Sequence, residues 1–390
     1  MRRIVLARRR VLHACVAFAA VMSIAAGCAR TGSNVTASGT TLTLYASAPP
    51  GVAGSQAAAD VLAAEQLAFN QQAGSKLGSF KLRFIKLTGS KVSDNARTAI
   101  KDTSSIAYLG ELDPGLSADS LGITNAQDLL QVTPTDTAAA LTQASSTVPG
   151  APNRYYESLS TYGQTFARVV PTTFLEAKAQ VQEMQALNVS KLYVASDGSQ
   201  YGRTIAQAVR TDAAKASITV VPSMSGADAA FIGASSDAGG ARMFNSAASS
   251  GPTLKLFGPS ALDDAAFASQ LSSARNVFVS SPGFLTKDLT ATAQSQFLKP
   301  FQDAYHRTPA PQAIFGYEAM AAVISVLHTA GTAANDRDTV VKGFLAIRNR
   351  DSVLGTYSIN ANGDTSIAPF VFSHLAGGKL VPFKFLQVQG

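Results

Sequence analysis

Between residues 192 and 281 the chain reads LYVAS (192–196), ITVVP (218–222), AAFIG (229–233), LKLFG (254–258) and VFVSS (277–281). Each is a short apolar run rich in β-branched or aromatic residues. Segments with helical periodicity separate them, among them Thr204–Ala216, Ala238–Ser249 and Ala261–Leu271. A chain that crosses over through a helix returns in the same direction, so this alternation calls for parallel strands. Apolar runs with few polar interruptions mark strands covered on both faces. The spacing predicts a doubly wound α/β sheet.

The same reading extends in both directions. TLTLYAS (41–47), FKLRFIKL (80–87), IAYLG (106–110) and LLQVT (129–133) read as strands, with helical stretches at Gly54–Ala73 and Thr173–Leu187. Two longer helices are expected at Thr290–Tyr305 and Pro311–Ala330. Three β-like pieces follow at Gly355–Ile359, Ala368–Phe372 and Leu380–Phe385. So many strands overfill one sheet, and 390 residues suit about two domains of ~100–200 residues each. Turns rich in Ser, Thr, Gly and Asp follow several strands: Asp113-Pro-Gly115, Thr133-Pro-Thr-Asp136, Ser196-Asp-Gly-Ser199 and Gly258-Pro-Ser260. Ligands of doubly wound sheets bind at these carboxyl ends of strands, although each turn is equally an ordinary helix cap.

The charge sits at one end. Arg2, Arg3, Arg8, Arg9 and Arg10 precede an apolar run from Val11 to Ile24, which ends in Ala25-Ala-Gly-Cys28. That order is a secretory signal, and its apolar run is shorter than the ~20 residues a spanning helix needs. Ile24-Ala-Ala-Gly-Cys28 resembles a bacterial lipobox. The resemblance implies cleavage before Cys28 and lipidation there, with residues 1–27 as signal and 28–40 as a flexible tether. Acyl chains on Cys28 then supply the only membrane attachment. Residues 1–27 hold five arginines and no acid, so their loss takes the chain from +7 to +2. No basic stripe with interleaved aromatics remains, which excludes nucleic acid as a partner.

Catalytic chemistry is scarce. His13, His306, His328 and His374 have no metal-ligand spacing, and no phosphate loop, dinucleotide fingerprint or nucleophile elbow is present. No cofactor and no metal is expected. A hydrolase assembled from residues distant in sequence stays open.

Several segments, taken in order, resemble the type I periplasmic binding proteins of the leucine/isoleucine/valine kind. They are Ser47–Asn70, Tyr108-Leu-Gly-Glu-Leu112 with Ser117, Thr133-Pro-Thr-Asp-Thr137, Ser199-Gln-Tyr-Gly202, Asp228–Gly233, Phe257-Gly-Pro259 and Phe301–Ala330. The resemblance covers nearly everything after Thr41. It implies two α/β lobes with parallel sheets joined by three hinge crossovers, near Pro171, Pro282 and Gly355. Lobe 1 is then 41–169 with 283–353, and lobe 2 is 170–282 with 354–390. It also implies an extracytoplasmic, lipid-anchored solute-binding protein, not an enzyme, that hands a small ligand to the permease and ATPase subunits of an ABC importer. A ligand-sensing module on the same fold is the competing role.

The resemblance further implies a ligand site at Asp113, Ser117, Thr135, Thr137, Tyr201, Ser235 and Ser260. Ser117, Thr135 and Thr137 would hold a ligand carboxylate, and Tyr201 would close over the ligand. Ser235 and Ser260 occupy the places where the family holds an ammonium group with a tyrosine and a glutamate. Either Asp113, Asp237, Asp263 or Asp264 replaces that glutamate, or the ligand is an amide, a carboxylate or another polar metabolite.

Overall fold

The computed structural model describes residues 35–74, 77–272 and 274–389. The expected signal and Cys28 lie outside the described residues. Fourteen strands are assigned among them: β1 Thr41–Ser47, β2 Lys81–Leu87, β3 Ser105–Leu109, β4 Leu130–Thr133, β5 Phe166–Arg168, β6 Lys191–Ser196, β7 Thr219–Val221, β8 Ala229–Gly233, β9 Lys255–Gly258, β10 Val277–Pro282, β11 Arg350–Ser352, β12 Gly355–Tyr357, β13 Pro369–Ala376 and β14 Lys379–Gln387.

β1 to β5 form one parallel sheet in the order β2-β1-β3-β4-β5. The five parallel strands of the second sheet repeat that order as β7-β6-β8-β9-β10. Each order reverses beside its first strand, and such a switch point opens a crevice at the carboxyl ends of the strands. The β13–β14 hairpin continues the second sheet and runs antiparallel to β10. The sheet is therefore mixed rather than parallel throughout. A two-residue turn, Gly377-Gly378 with φ of 57° and 74°, joins the hairpin and permits the reversal. Central strands are buried along their whole length, as in β3 (SIAYL) and β8 (AAFIG), whereas edge strand β2 exposes Lys81, Arg83 and Lys86. Charge along an edge discourages pairing with a second chain.

The first core joins sequence-distant pieces. Leu42, Leu44 and Ile106 of the sheet meet Val61, Ala64 and Leu67 of helix Gln56–Gln72, and Phe315, Val323 and Leu327 of helix Ala313–Ala330. The latter helix is apolar enough to cross a membrane by composition, but 14 of its 18 residues are buried, 12 of them in this core. Helix Thr173–Ala186 opens the second lobe, where Ala177, Val181 and Met184 pack on Leu192, Ile205 and Phe231.

The chain passes between the lobes at 169–172, at 282–284 and at 360–368. The third passage falls later than the Gly355 expectation, because Leu354, Tyr357 and Ile359 are buried in the first core and only Ala368 and Phe370 join the second. The tether expectation also changes at its end. Thr36 bridges Asp336, the Ala37 amide donates to the Asn335 carbonyl at 2.7 Å, and Ala37 is buried. Residues 35–38 are bound to the base of the first lobe, at the amino ends of its strands.

Candidate functional site

The carboxyl ends of the two sheets face each other across a cleft of about 870 Å³. The loops after β1, β3 and β4 line one wall, and those after β6, β8 and β9 line the other. Side-chain bonds bridge the lobes near it, among them Gln200 Nε2 donating to the Tyr155 hydroxyl at 2.6 Å and the Thr147 and Thr204 hydroxyls meeting at 2.7 Å.

Of the expected ligand residues, Asp113, Thr135, Tyr201, Ser235 and Ser260 line this cleft. Ser117 and Thr137 are fully or almost fully buried and are not among its lining residues. The Ser117 hydroxyl accepts the Glu111 amide at 3.0 Å, and the Thr137 carbonyl accepts the amide and hydroxyl of Thr173 at 2.7 and 2.8 Å. Both hold loops together rather than facing a ligand.

Three buried or half-buried acids, none singled out by the sequence, sit beneath the loops. Asp136 accepts the amides of Gly115, Ser117 and Ala138 at 2.7, 2.9 and 3.0 Å, tying the loop after β3 to the loop after β4. Asp197 accepts the amides of Ser199 and Ser235 at 2.9 and 2.8 Å. Against its partial burial, these bonds and the Ser199 hydroxyl hold its carboxyl below the usual range. Glu176 accepts the Ser260 amide at 2.6 Å and the hydroxyls of Ser280, Ser260 and Tyr201 at 2.7, 3.0 and 3.2 Å. Burial away from water outweighs those bonds and pushes its pKa up to about 7.

The cleft surface is acidic. Asp113, Asp237, Asp263 and Asp264 line it, and no lysine, arginine or histidine does so among the described residues. Asp113 opens into the cleft, but the surrounding protein, then the charges of Asp136, Asp237 and Asp264, push it up to about 6. Burial likewise lifts Asp263 to about 6, with a Ser281 hydrogen bond opposing and the Asp264 charge adding. Asp237 is raised by burial and by Asp264. Among the described residues no group of three or more His, Cys, Asp or Glu is placed to hold a metal ion.

The Ser199-Gln-Tyr-Gly202 turn shows why its glycine matters. A side chain on Gly202 would place Cβ 2.6 Å from the Gly233 carbonyl, so only glycine lets this helix begin against β8.

Solved structures share this fold. A leucine-binding protein of Thermotoga maritima aligns over 89% of this chain and 99% of its own, with TM-score 0.72 and 16% identity. The chain has the fold of the type I periplasmic binding proteins. An ABC transporter substrate-binding protein of Desulfitobacterium hafniense, in complex with Leu, aligns over 88% of this chain and all of its own (TM-score 0.70, 18% identity). A solute-binding protein of an ABC transporter from R. palustris, in complex with benzoate, shares the fold at TM-score 0.67 and 15% identity, over 90% of this chain and 98% of its own. No family model and no curated protein matches the sequence. Within this fold the cleft described above lies between the two lobes.

Proposed function

We propose that the protein is an extracytoplasmic solute-binding lipoprotein, anchored through Cys28. It captures a small polar metabolite between its lobes and delivers it to the permease of an ABC importer, without chemical turnover. The observation that carries this reading is the cleft itself. It lies at the switch points of two sheets with the same strand order, and both lobes contribute polar side chains to it. Three chain passages between the lobes form a hinge, and closure on ligand gives the permease a distinct state to recognise.

The test is a thermal-shift panel of amino acids, their amides, small carboxylates and amines, followed by small-angle scattering on each hit. A ligand at ~100 times its Kd adds about 2.7 kcal/mol to the folded state. The reading expects at least one hit, a smaller radius of gyration with the hit bound, and an unchanged hit after incubation. Consumption of the hit would favour the hydrolase, and silence across the panel would overturn ligand capture.

A further inference from the structure

We infer that the cleft is built for an organic cation that carries no carboxylate: an amine, a polyamine or a quaternary ammonium. This deepens the proposed function and rests on its reading of the cleft as a ligand site.

A bound carboxylate needs free backbone N–H groups or cations. Here many of the amides in position to serve are already held by the protein's own acids. Asp136 takes Gly115, Ser117 and Ala138, Asp197 takes Ser199 and Ser235, and Glu176 takes Ser260. The caps take more: the Ser55, Ser199 and Ser236 hydroxyls accept the amides of Ala58, Gly202 and Gly239. Built-in anions thus fill the places a ligand anion would use.

The hydroxyls point the same way. Thr135 donates to the Leu112 carbonyl at 2.6 Å, Ser199 to Asp197 at 2.6 Å, Ser235 to Asp197 at 3.3 Å and Ser260 to Glu176 at 3.0 Å. With those protons turned inward, each oxygen offers the cleft only lone pairs. Gln312 is also a lining residue, although its amide oxygen is itself buried. Four aspartates from both lobes add negative charge, with no basic side chain lining the cleft among the described residues to balance it. A zwitterion would gain from this surface at one end and be repelled at the other. A cation gains throughout.

Calorimetry with matched pairs that differ only by a carboxylate tests this on the purified protein in detergent: cadaverine with L-lysine, agmatine with L-arginine, isoamylamine with L-leucine, tetramethylammonium with betaine. Benzoate and L-glutamate serve as anions. We expect the carboxylate-free member of a binding pair to bind at least ~10-fold tighter, and the anions not to bind. Asp113→Asn and Asp237→Asn, one per lobe, should each raise the Kd of that cation ~10-fold or more while far-UV circular dichroism stays unchanged. Tighter binding of the amino acid or of an anion, with lobe closure, would overturn the inference and leave solute capture standing. Absence of binding and closure with every compound would overturn both.

Discussion

Glu176→Gln should stabilise the protein at alkaline pH, although it removes a side chain that accepts four hydrogen bonds. Only one of the four donors is rigid, the Ser260 amide on Oε1 at 2.6 Å. The other three are hydroxyls of Ser280, Ser260 and Tyr201, which can turn. A glutamine with its carbonyl in the Oε1 position keeps Ser260 N and Ser280. Its NH2 then donates to Ser260 Oγ and Tyr201, whose protons rotate away. Burial lifts the Glu176 pKa from 4.5 to about 7. A carboxyl raised on folding contributes stability that is complete below about 4.5 and is lost as pH rises through 7. At ~1.4 kcal/mol per pH unit the gap is worth roughly 3 kcal/mol, an order of magnitude for the penalty at pH 8. Glutamine cannot ionise, so the variant should recover ~1–3 kcal/mol at pH 8 and little at pH 4.5. Glu176→Ala strands the Ser260 amide and leaves a cavity, and should lose about 2–4 kcal/mol at both. Urea unfolding followed by circular dichroism at pH 4.5, 6, 7 and 8 gives the comparison. Glutamine as damaging as alanine at pH 8, with the pH slope unchanged, would refute the reasoning.

Asp136 should behave in the opposite way. Its three partners are all backbone amides, none of which can reverse, so Asp136→Asn should cost about 2–4 kcal/mol in urea unfolding. Ligand affinity measured by calorimetry should fall as pH drops through about 6, because Asp113 and Asp263, both lifted to about 6, gain protons there. An affinity flat between pH 5 and 7.5 would contradict that. Gly202→Ala should cost ~1–3 kcal/mol, read as a lower Tm, since its Cβ must move away from the Gly233 carbonyl.

The sheet-forming part of this fold is written locally. AAFIG (229–233) and IAYLG (106–110) are apolar throughout because they lie mid-sheet, covered on both faces. The turns that line the cleft were visible for the same reason, since each follows its strand directly. What escaped the sequence lies in partnerships over distance. Glu176 meets Ser260 from 84 positions away, and Asp197 meets Ser235 from 38. Nothing in a helix segment reading TFLEAK announces that its acid will sit beneath another loop's serine. Ser117 and Thr137 lie off the cleft lining because polar atoms of a turn serve neighbouring amides as readily as a ligand. The Gly355 crossover was misplaced because glycine marks a bend, not which core receives the next apolar residue.

The first core has a consequence for how the chain is made. It draws on residues from Ala37 to Ile359, and helix Ala313–Ala330 lies at its centre. At ~5–20 residues per second, those ~320 residues take about 15–60 s to emerge. During that time β1 to β5 exist without one of the helices that cover them, and the second lobe is itself unfinished until Phe370 and Phe372 arrive. Neither lobe has a complete order of synthesis of its own. A chain cut short before residue 313 leaves the first sheet with only helix Gln56–Gln72 on that face and the rest of its apolar surface open to aggregation, so folding here belongs to the finished polypeptide rather than to its growing end.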